Sequence, residues 1–302
     1  MTNPNLPTLR QLTYLTTLVE EKHFGHAADR CFVTQSTLSA GIQDLEHLLG
    51  ISLLERSNRK VMPTALGIKI SQRAQEILSL SADLVDLAQT EINPLSGQIR
   101  LGIIPSISPF LLPKSLPVIR QALPGLELIL IEEQSDYLIK KLRVGDIDLA
   151  ILALPFNIKG FHHQVFSREP FWVALPPNHP LTLEKSIHPE QLAIDELLLL
   201  SKGHCLREHA LSVCNLPSTR QRTSMQSTSL YTLIEMVAGG SGVTLLPEMA
   251  VNSDMVSHAD ICLRPLTTDP HSLRELGLIW RPSYQRLETI THLATHFANS
   301  LK

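Results

Sequence analysis

A chain of 302 residues, 43% apolar and 18% charged, is long enough for two or three domains with cores of their own. Those values exclude a disordered polymer, and the lack of any run of about 18 apolar residues excludes a membrane-spanning helix. A net charge of −3 excludes a protein that is basic all over, so contact with nucleic acid must rest on local pattern.

Met1 to Pro7 is polar and lacks the apolar core of an export signal, which points to the cytoplasm, where thiols stay reduced. The four cysteines, Cys31, Cys205, Cys214 and Cys262, are then not a disulfide framework, and no two form a C-x-x-C.

Leu9, Leu12, Leu15 and Val19 recur at helical spacing and predict a helix from Thr8 to about Glu21. A second opens at Phe24 with Ala27 and Ala28 and ends near Cys31. After the break at Phe32-Val33, Thr34 is placed to cap a third helix, with Leu38, Ile42, Leu45 and Leu49 on its inward face. The opposite face carries Ser36, Ala40, Gln43 and His47, and Gln35, Thr37 and Ser39 stand at its exposed start. This is a helix-turn-helix pattern. Amide and hydroxyl side chains beside a small Ala40 suit base edges in the major groove of double-stranded DNA.

Ile51 to Leu54 and Val61 to Pro63 flank Arg56-Ser57-Asn58-Arg59-Lys60 and predict a hairpin wing, its Arg56, Arg59 and Lys60 gripping phosphates. Basic and acidic side chains balance at six each through residue 63, so the blander reading is a three-helix unit with a solvated loop. Thr64 caps a helix to about Ile92. Its apolar positions Leu66, Ile70, Ala74, Ile77, Leu78, Leu84, Val85 and Ala88 are too spread out for a small winged domain to cover, so a homodimer is expected. Asn93 to Gly97 is the linker.

From Gln98 strands and helices alternate: strand Ile99–Ile104, helix Pro109 to about Leu123, strand Glu127–Glu132, helix Asp136–Val144, strand Asp146–Leu152. That is a doubly wound α/β half with a parallel sheet, whose ligands sit beyond the strand ends, here near Pro105-Ser106 and Gln134-Ser135. A second half begins at about Arg168. Its strands are Phe171–Leu175, Leu197–Leu200 and Gly242–Leu246, and its helices follow Cys205 and span Ser229–Ala238. Arg274 to Arg281 crosses back as a strand, Leu287 to Leu301 closes as a helix, and His162-His163 is read as a hinge loop. Cys31 and Cys262 are read as packing residues. The cleft between the halves is the expected sensing site.

Within Gly203 to Cys214, Leu206, Ala210 and Val213 repeat at helical spacing, which puts Cys205 in a first turn flanked by His204 and Arg207. Unpaired backbone N–H groups and the positive end of the helix dipole favour a thiolate there. Nine helical residues would hold the Cys205 and Cys214 Cα atoms about 13 Å apart, while a disulfide needs about 4.4–6.8 Å. A bridge would therefore refold the segment and act as a switch. The blander reading is two unrelated cysteines. A metal site of His204, Cys205, His209 and Cys214 suits no standard zinc spacing, so neither metal nor cofactor is expected.

The chain resembles the LysR-type transcriptional regulators over nearly its whole length. The resemblance is carried by His23-Phe24-Gly25-His26-Ala27-Ala28-Asp29-Arg30, Gln35-Ser36-Thr37-Leu38-Ser39, Ile42-Gln43-Asp44-Leu45-Glu46, Leu53-Leu54-Glu55-Arg56 and Thr64-Ala65-Leu66-Gly67. Gly102-Ile103-Ile104-Pro105-Ser106, Leu111-Leu112-Pro113 and Gly203-His204-Cys205-Leu206-Arg207, with Cys214 nine positions on, are similar to the peroxide-sensing branch of that family.

The resemblance implies residues 1–63 as a winged helix-turn-helix domain and 64–96 as a dimerising linker helix and hinge. It implies 97–302 as a two-lobed α/β regulatory domain like a periplasmic binding protein, with lobe I 97–167 and 270–302, and lobe II 168–269. It further implies Cys205 as the peroxidatic and Cys214 as the resolving cysteine, with Ser106, Ser135, His204, Arg207 and Arg281 around hydrogen peroxide. Promoter DNA, RNA polymerase and a homotetramer are the implied partners, and no catalytic turnover is expected. The sequence departs from the family at Ser36, where proline is frequent, and at Gly41 and Asp44, near which basic residues are frequent. The rivals are a LysR-type regulator that senses a metabolite, a thiol peroxidase, and a solute-binding protein.

Overall fold

The three threonines expected to start helices, Thr8, Thr34 and Thr64, do so in the computed structural model, which describes residues 6–55, 62–193, 195–214, 229–267 and 273–301. Helix α1 (Leu9–Glu21) opens on a capping box in which Thr8 Oγ1 accepts from the Gln11 N–H and the Gln11 side chain accepts from the Thr8 N–H. Helix α2 (Phe24–Arg30) is capped by His23 Nδ1, and α3 (Gln35–Leu49) by Thr34 Oγ1, which accepts from Thr37 N–H; α3 ends on Gly50 at φ 67°. Each such cap stabilises its helix by about 1 kcal/mol. Leu15, Leu18, Leu38, Leu45 and Leu53 fill the core of this bundle, with half-buried Cys31 against it. Gly41 is required by packing: a Cβ there would lie 2.7 Å from the Tyr14 ring. A short antiparallel pair follows, β1 (Leu54–Glu55) and β2 (Met62–Pro63), with the Glu46 carboxylate accepting from the Leu53 and Leu54 N–H groups. The expected basic tip, with Arg56, Arg59 and Lys60, lies outside the described residues. Helix α4 spans Ala65–Ile92 and exposes Leu66, Ile77, Leu80, Leu84 and Val85.

The chain divides into two compact units, Met1–Gln89 with Arg143–Asp146, and Thr90–Leu142 with Ile147–Lys302. The second unit holds two sheets, each with its own core. In the first lobe β3 (Gly97–Ile103), α5 (Ser108–Ala122), β4 (Leu126–Glu132), α6 (Ser135–Val144) and β5 (Leu149–Leu154) alternate as expected. β5 starts three residues later than expected because the Asp148 carboxylate accepts from Arg100, at its backbone N–H and its guanidinium. The sheet is mixed where a parallel one was expected. β3 pairs parallel with β4 and β5, but β6 (His162–Glu169) and β10 (Arg274–Trp280) complete the order β4-β3-β5-β10-β6, with β10 antiparallel to both neighbours. His162 and His163 are thus the first rungs of a strand, opposite Trp280 and Ile279, and not a hinge loop. Helix α11 (Leu287–Ser300) closes this lobe with Ile290, Leu293 and Phe297 buried.

The second lobe is built on three antiparallel strands in the order β8-β7-β9: β7 (Phe171–Leu175), β8 (Thr244–Pro247) and β9 (Cys262–Pro265), which carries half-buried Cys262. Helices α7 (Cys205–Val213), α8 (Leu230–Ala238), α9 (Glu248–Val251) and α10 (Asp254–Ser257) belong with it. The expected strand at Leu197–Leu200 is reduced to isolated bridge residues, Leu197 pairing parallel with Val243. Among the described residues no helix is long and apolar enough to cross a membrane.

Candidate functional site

Helix α7 begins on Cys205, with His204 as its N-cap residue, and Cys214 is its C-cap, with the Cys214 N–H donating to Ala210 O. The helix is unbroken between the two sulfurs, so their Cα atoms stand about 13 Å apart. Both cysteines are free and buried, at 1% and 7% exposure, but in different cores. Cys205 belongs to the core that holds Ile103, Ile104, Ile107 and Ile151 of the first lobe, whereas Cys214 belongs to the core that holds Leu206, Leu230 and Ile234 of the second. Burial, helped by the charge of Glu190, pushes the Cys214 thiol up to about 11. At rest it is a protonated, inert sulfur.

Gly203 sits at φ 96°, and a Cβ there would lie 2.6 Å from Gln134 Oε1. A positive φ and a close approach both demand glycine. That approach sets the next residue: Gln134 Nε2 lies 3.0 Å from His204 Nε2, so with the amide donating, the imidazole carries its proton on Nδ1. Burial lowers the His204 pKa and keeps the ring neutral. Ser135 follows at the N-terminus of α6, fully buried, and its Oγ has no partner among the described residues. Arg207 is buried on the first turn of α7, with Nη1 donating to Leu200 O at 3.3 Å and Nε 3.5 Å from the Glu208 carboxylate. Ser106 Oγ accepts from Arg274 Nη2 at 2.7 Å, and Arg274 Nη1 donates to Glu169 Oε1 at 2.9 Å.

Arg281 does not join this group. Arg274 is the first residue of β10 and Arg281 follows its last, so about 23 Å of extended chain separates them. Arg281 donates to Leu142 O and Ile147 O, with Asp148 at 3.9 Å, and so anchors the opposite end of the strand. The arginine beside Ser106 is Arg274, which sequence reasoning passed over, as it did Glu169. A signal existed: two opposite charges, Glu169 and Arg274, stand just before the apolar runs Phe171–Leu175 and Leu276–Trp280 and turn out to be register partners. Burial pushes the Glu169 carboxyl above its usual range, against the opposing charge of Arg274. Among the described residues no three His, Cys, Asp or Glu side chains converge to hold a metal ion.

In the first unit Gln35, Ser36 and Thr37 are exposed and Ser39 half-buried at the start of α3, and Gln43 is exposed on the face opposite Leu38, Ile42 and Leu45. The Ser36 and Thr37 hydroxyls lie 2.9 and 2.8 Å from Thr34 Oγ1, so the cap fixes the first turn of the helix that offers them. Ala40 and His47 are also exposed, and Gly41 faces Tyr14.

Two family models match the chain, a bacterial regulatory helix-turn-helix of the LysR family over residues 9–68 and a LysR substrate binding domain over residues 93–302. The HTH-type transcriptional regulator EstR of Acinetobacter baylyi is 40% identical over 92% of this chain and 92% of its own length. A hydrogen peroxide-inducible genes activator of Dickeya chrysanthemi is 37% identical over 91% of this chain and 89% of its own. Among solved structures, full-length OxyR of Pseudomonas aeruginosa with a cysteine-to-aspartate substitution matches with a TM-score of 0.76 at 37% identity, covering 97% of this chain and 98% of that one. With both family models matched and relatives near 40% identity over nine-tenths of its length, the chain belongs to the LysR family of bacterial transcriptional regulators.

Proposed function

We propose that this LysR-family protein is a DNA-binding transcriptional regulator that senses hydrogen peroxide by reversible Cys205–Cys214 disulfide formation and controls oxidative-stress genes. One observation carries the reading: the two cysteines cap opposite ends of one helix and are buried in different cores. In the first step the Cys205 thiolate attacks one peroxide oxygen, giving a sulfenic acid, and the other oxygen leaves as water after gaining a proton. In the second, Cys214 attacks the sulfenic sulfur, the disulfide forms and a second water leaves. The resolving attack needs the Cys214 thiolate, which burial disfavours, so α7 must unwind first. Ser106 and Ser135 are the candidate hydroxyls for the peroxide, with His204, Arg207 and Arg274 bordering it. Gln35, Ser36, Thr37, Ser39 and Gln43 would meet bases, and Arg56, Arg59 and Lys60 phosphates. The exposed apolar side of α4 suits a homodimer, and a homotetramer, RNA polymerase contact and a cytoplasmic location complete the reading.

Promoter footprinting before and after peroxide tests it. The footprint is expected to shift in the natural chain and to stay in its reduced form in Cys205→Ser; an oxidative shift surviving in the variant would overturn the proposal. The buried, unpartnered Ser135 Oγ and the 40% identity to a regulator whose name mentions no peroxide favour one rival, a family member that senses a metabolite in the cleft. Mass spectrometry after mild peroxide separates the two, since the rival forms no Cys205–Cys214 bridge.

A further inference from the structure

Helix α2 ends in a turn closed by two backbone hydrogen bonds. Phe32 N–H donates to Asp29 O at 3.1 Å and Val33 N–H to Ala28 O at 3.0 Å, the pattern in which the residue after the cap turns left-handed. Phe32 is that residue, at φ 56°. Glycine or asparagine takes up such a conformation readily, whereas a bulky side chain is strained there. Val33 turns inward against the core of the three-helix bundle. Phe32 does the opposite: at 95% exposure it is the most exposed large apolar side chain among the described residues.

Two unfavourable features thus meet at one residue, a left-handed backbone and a ring left in water, and a ring so exposed gains no packing that offsets either. Its place in the chain says where the compensation lies. Thr34, two residues on, caps α3, and Gln35, Ser36 and Thr37 stand exposed in the first turn of that helix. Three residues of chain span at most about 11 Å, so the ring is tethered beside that first turn. In a helix-turn-helix the first turn of the second helix meets the base edges, and phenylalanine is among the side chains that suit a thymine methyl there. Bulk charge adds little, since basic and acidic side chains balance at six each through residue 63. An apolar contact then weighs more.

We propose that Phe32 is a DNA contact: on the operator its ring packs against the apolar surface of the duplex, thymine methyl or deoxyribose, beside the bases that face α3. The proposal rests on the DNA-binding reading above and adds to it a residue that no hydrogen-bonding or charge pattern would select.

The test uses the full reduced chain and duplex DNA that the natural chain selects from a random pool, with affinity read by fluorescence anisotropy. Phe32→Asn and Phe32→Gly, both suited to the left-handed turn, are expected to keep the helix content and to bind about tenfold more weakly, the effect of exposing most of a phenyl ring. The dependence of affinity on salt should keep its slope, because no phosphate contact is lost. Replacing thymine by uracil, one position at a time, removes only a methyl group. At the contacted thymine this should weaken the natural chain about fourfold and leave Phe32→Asn unchanged. If no uracil matters and both variants lose the same tenfold on unrelated duplex, the ring lies on deoxyribose, which also meets the proposal. Unchanged affinity in both variants overturns it, as does a loss matched by lost helix or by a shallower salt slope. Failure of the natural chain to select any duplex strikes the DNA-binding reading itself.

Discussion

Arg274→Met tests whether the arginine at the end of β10 compensates a buried charge. Arg274 is 1% exposed and Glu169 4%, with 2.9 Å between Nη1 and Oε1. Removing one partner of such a pair leaves the other uncompensated, at a cost of about 3–5 kcal/mol. For a unit of this size each kcal/mol is worth about 2–4 °C, so the melting temperature should fall by about 6–20 °C. Both tryptophans, Trp172 and Trp280, lie in the second unit, so their fluorescence follows that unit alone. The double variant Glu169→Gln with Arg274→Met removes the charge as well and should recover more than about 1 kcal/mol of the loss. The pH dependence gives an independent sign. Burial already raises the Glu169 carboxyl, and without Arg274 only the Met249 N–H is left to oppose it, so the folded state binds a proton that the unfolded state has lost. Stability of the single variant should then fall as pH rises through that raised value, and its deficit should shrink on acidification from neutral pH. Equal melting of the single and double variants, or a deficit indifferent to acid, would refute the reasoning.

The lowered His209 pKa, about 4 against 6.5, means that the unfolded chain binds the extra proton between those values. Stability should therefore drop by about 3 kcal/mol as pH falls through that window, and His209→Gln should flatten the slope in a denaturant titration. Gly41→Ala forces a Cβ into the Tyr14 ring and should destabilise the first unit by about 1–3 kcal/mol, with recovery in Tyr14→Leu, by calorimetry. Because burial protonates Cys214, native alkylation near neutral pH, read by peptide mass spectrometry, should label half-buried Cys31 and Cys262 before it; prior labelling of Cys214 would contradict its placement.

What the sequence made legible was local. Thr8 and Thr34 announce their helices because a hydroxyl at an N-cap answers a backbone donor three residues away. The span of α7 followed from Leu206, Ala210 and Val213. What stayed hidden was decided by distant partners. His162 to Glu169 is too polar to read as a strand, and it becomes one by pairing with β10, more than a hundred residues on. The run Leu197–Leu200 is apolar enough for a strand, yet forms only isolated bridges among the described residues, one of them to Val243. Choosing between Arg274 and Arg281 required knowing which end of β10 meets Ser106, and spacing along one chain holds no such information. That Cys205 and Cys214 belong to separate cores was equally invisible, since both lie among similar neighbours in the sequence.

The helix between those sulfurs also bears on how long an oxidised state can last. A bond between them must be held against the burial and backbone pairing it undoes, and every 1.4 kcal/mol of that opposition raises the reduction potential of the couple by about 30 mV. In the proposed bridged state, tight packing at both ends of α7 would therefore act as a spring that drives the thiols' return. A memory of oxidant written in this way fades by itself once electrons are again in supply.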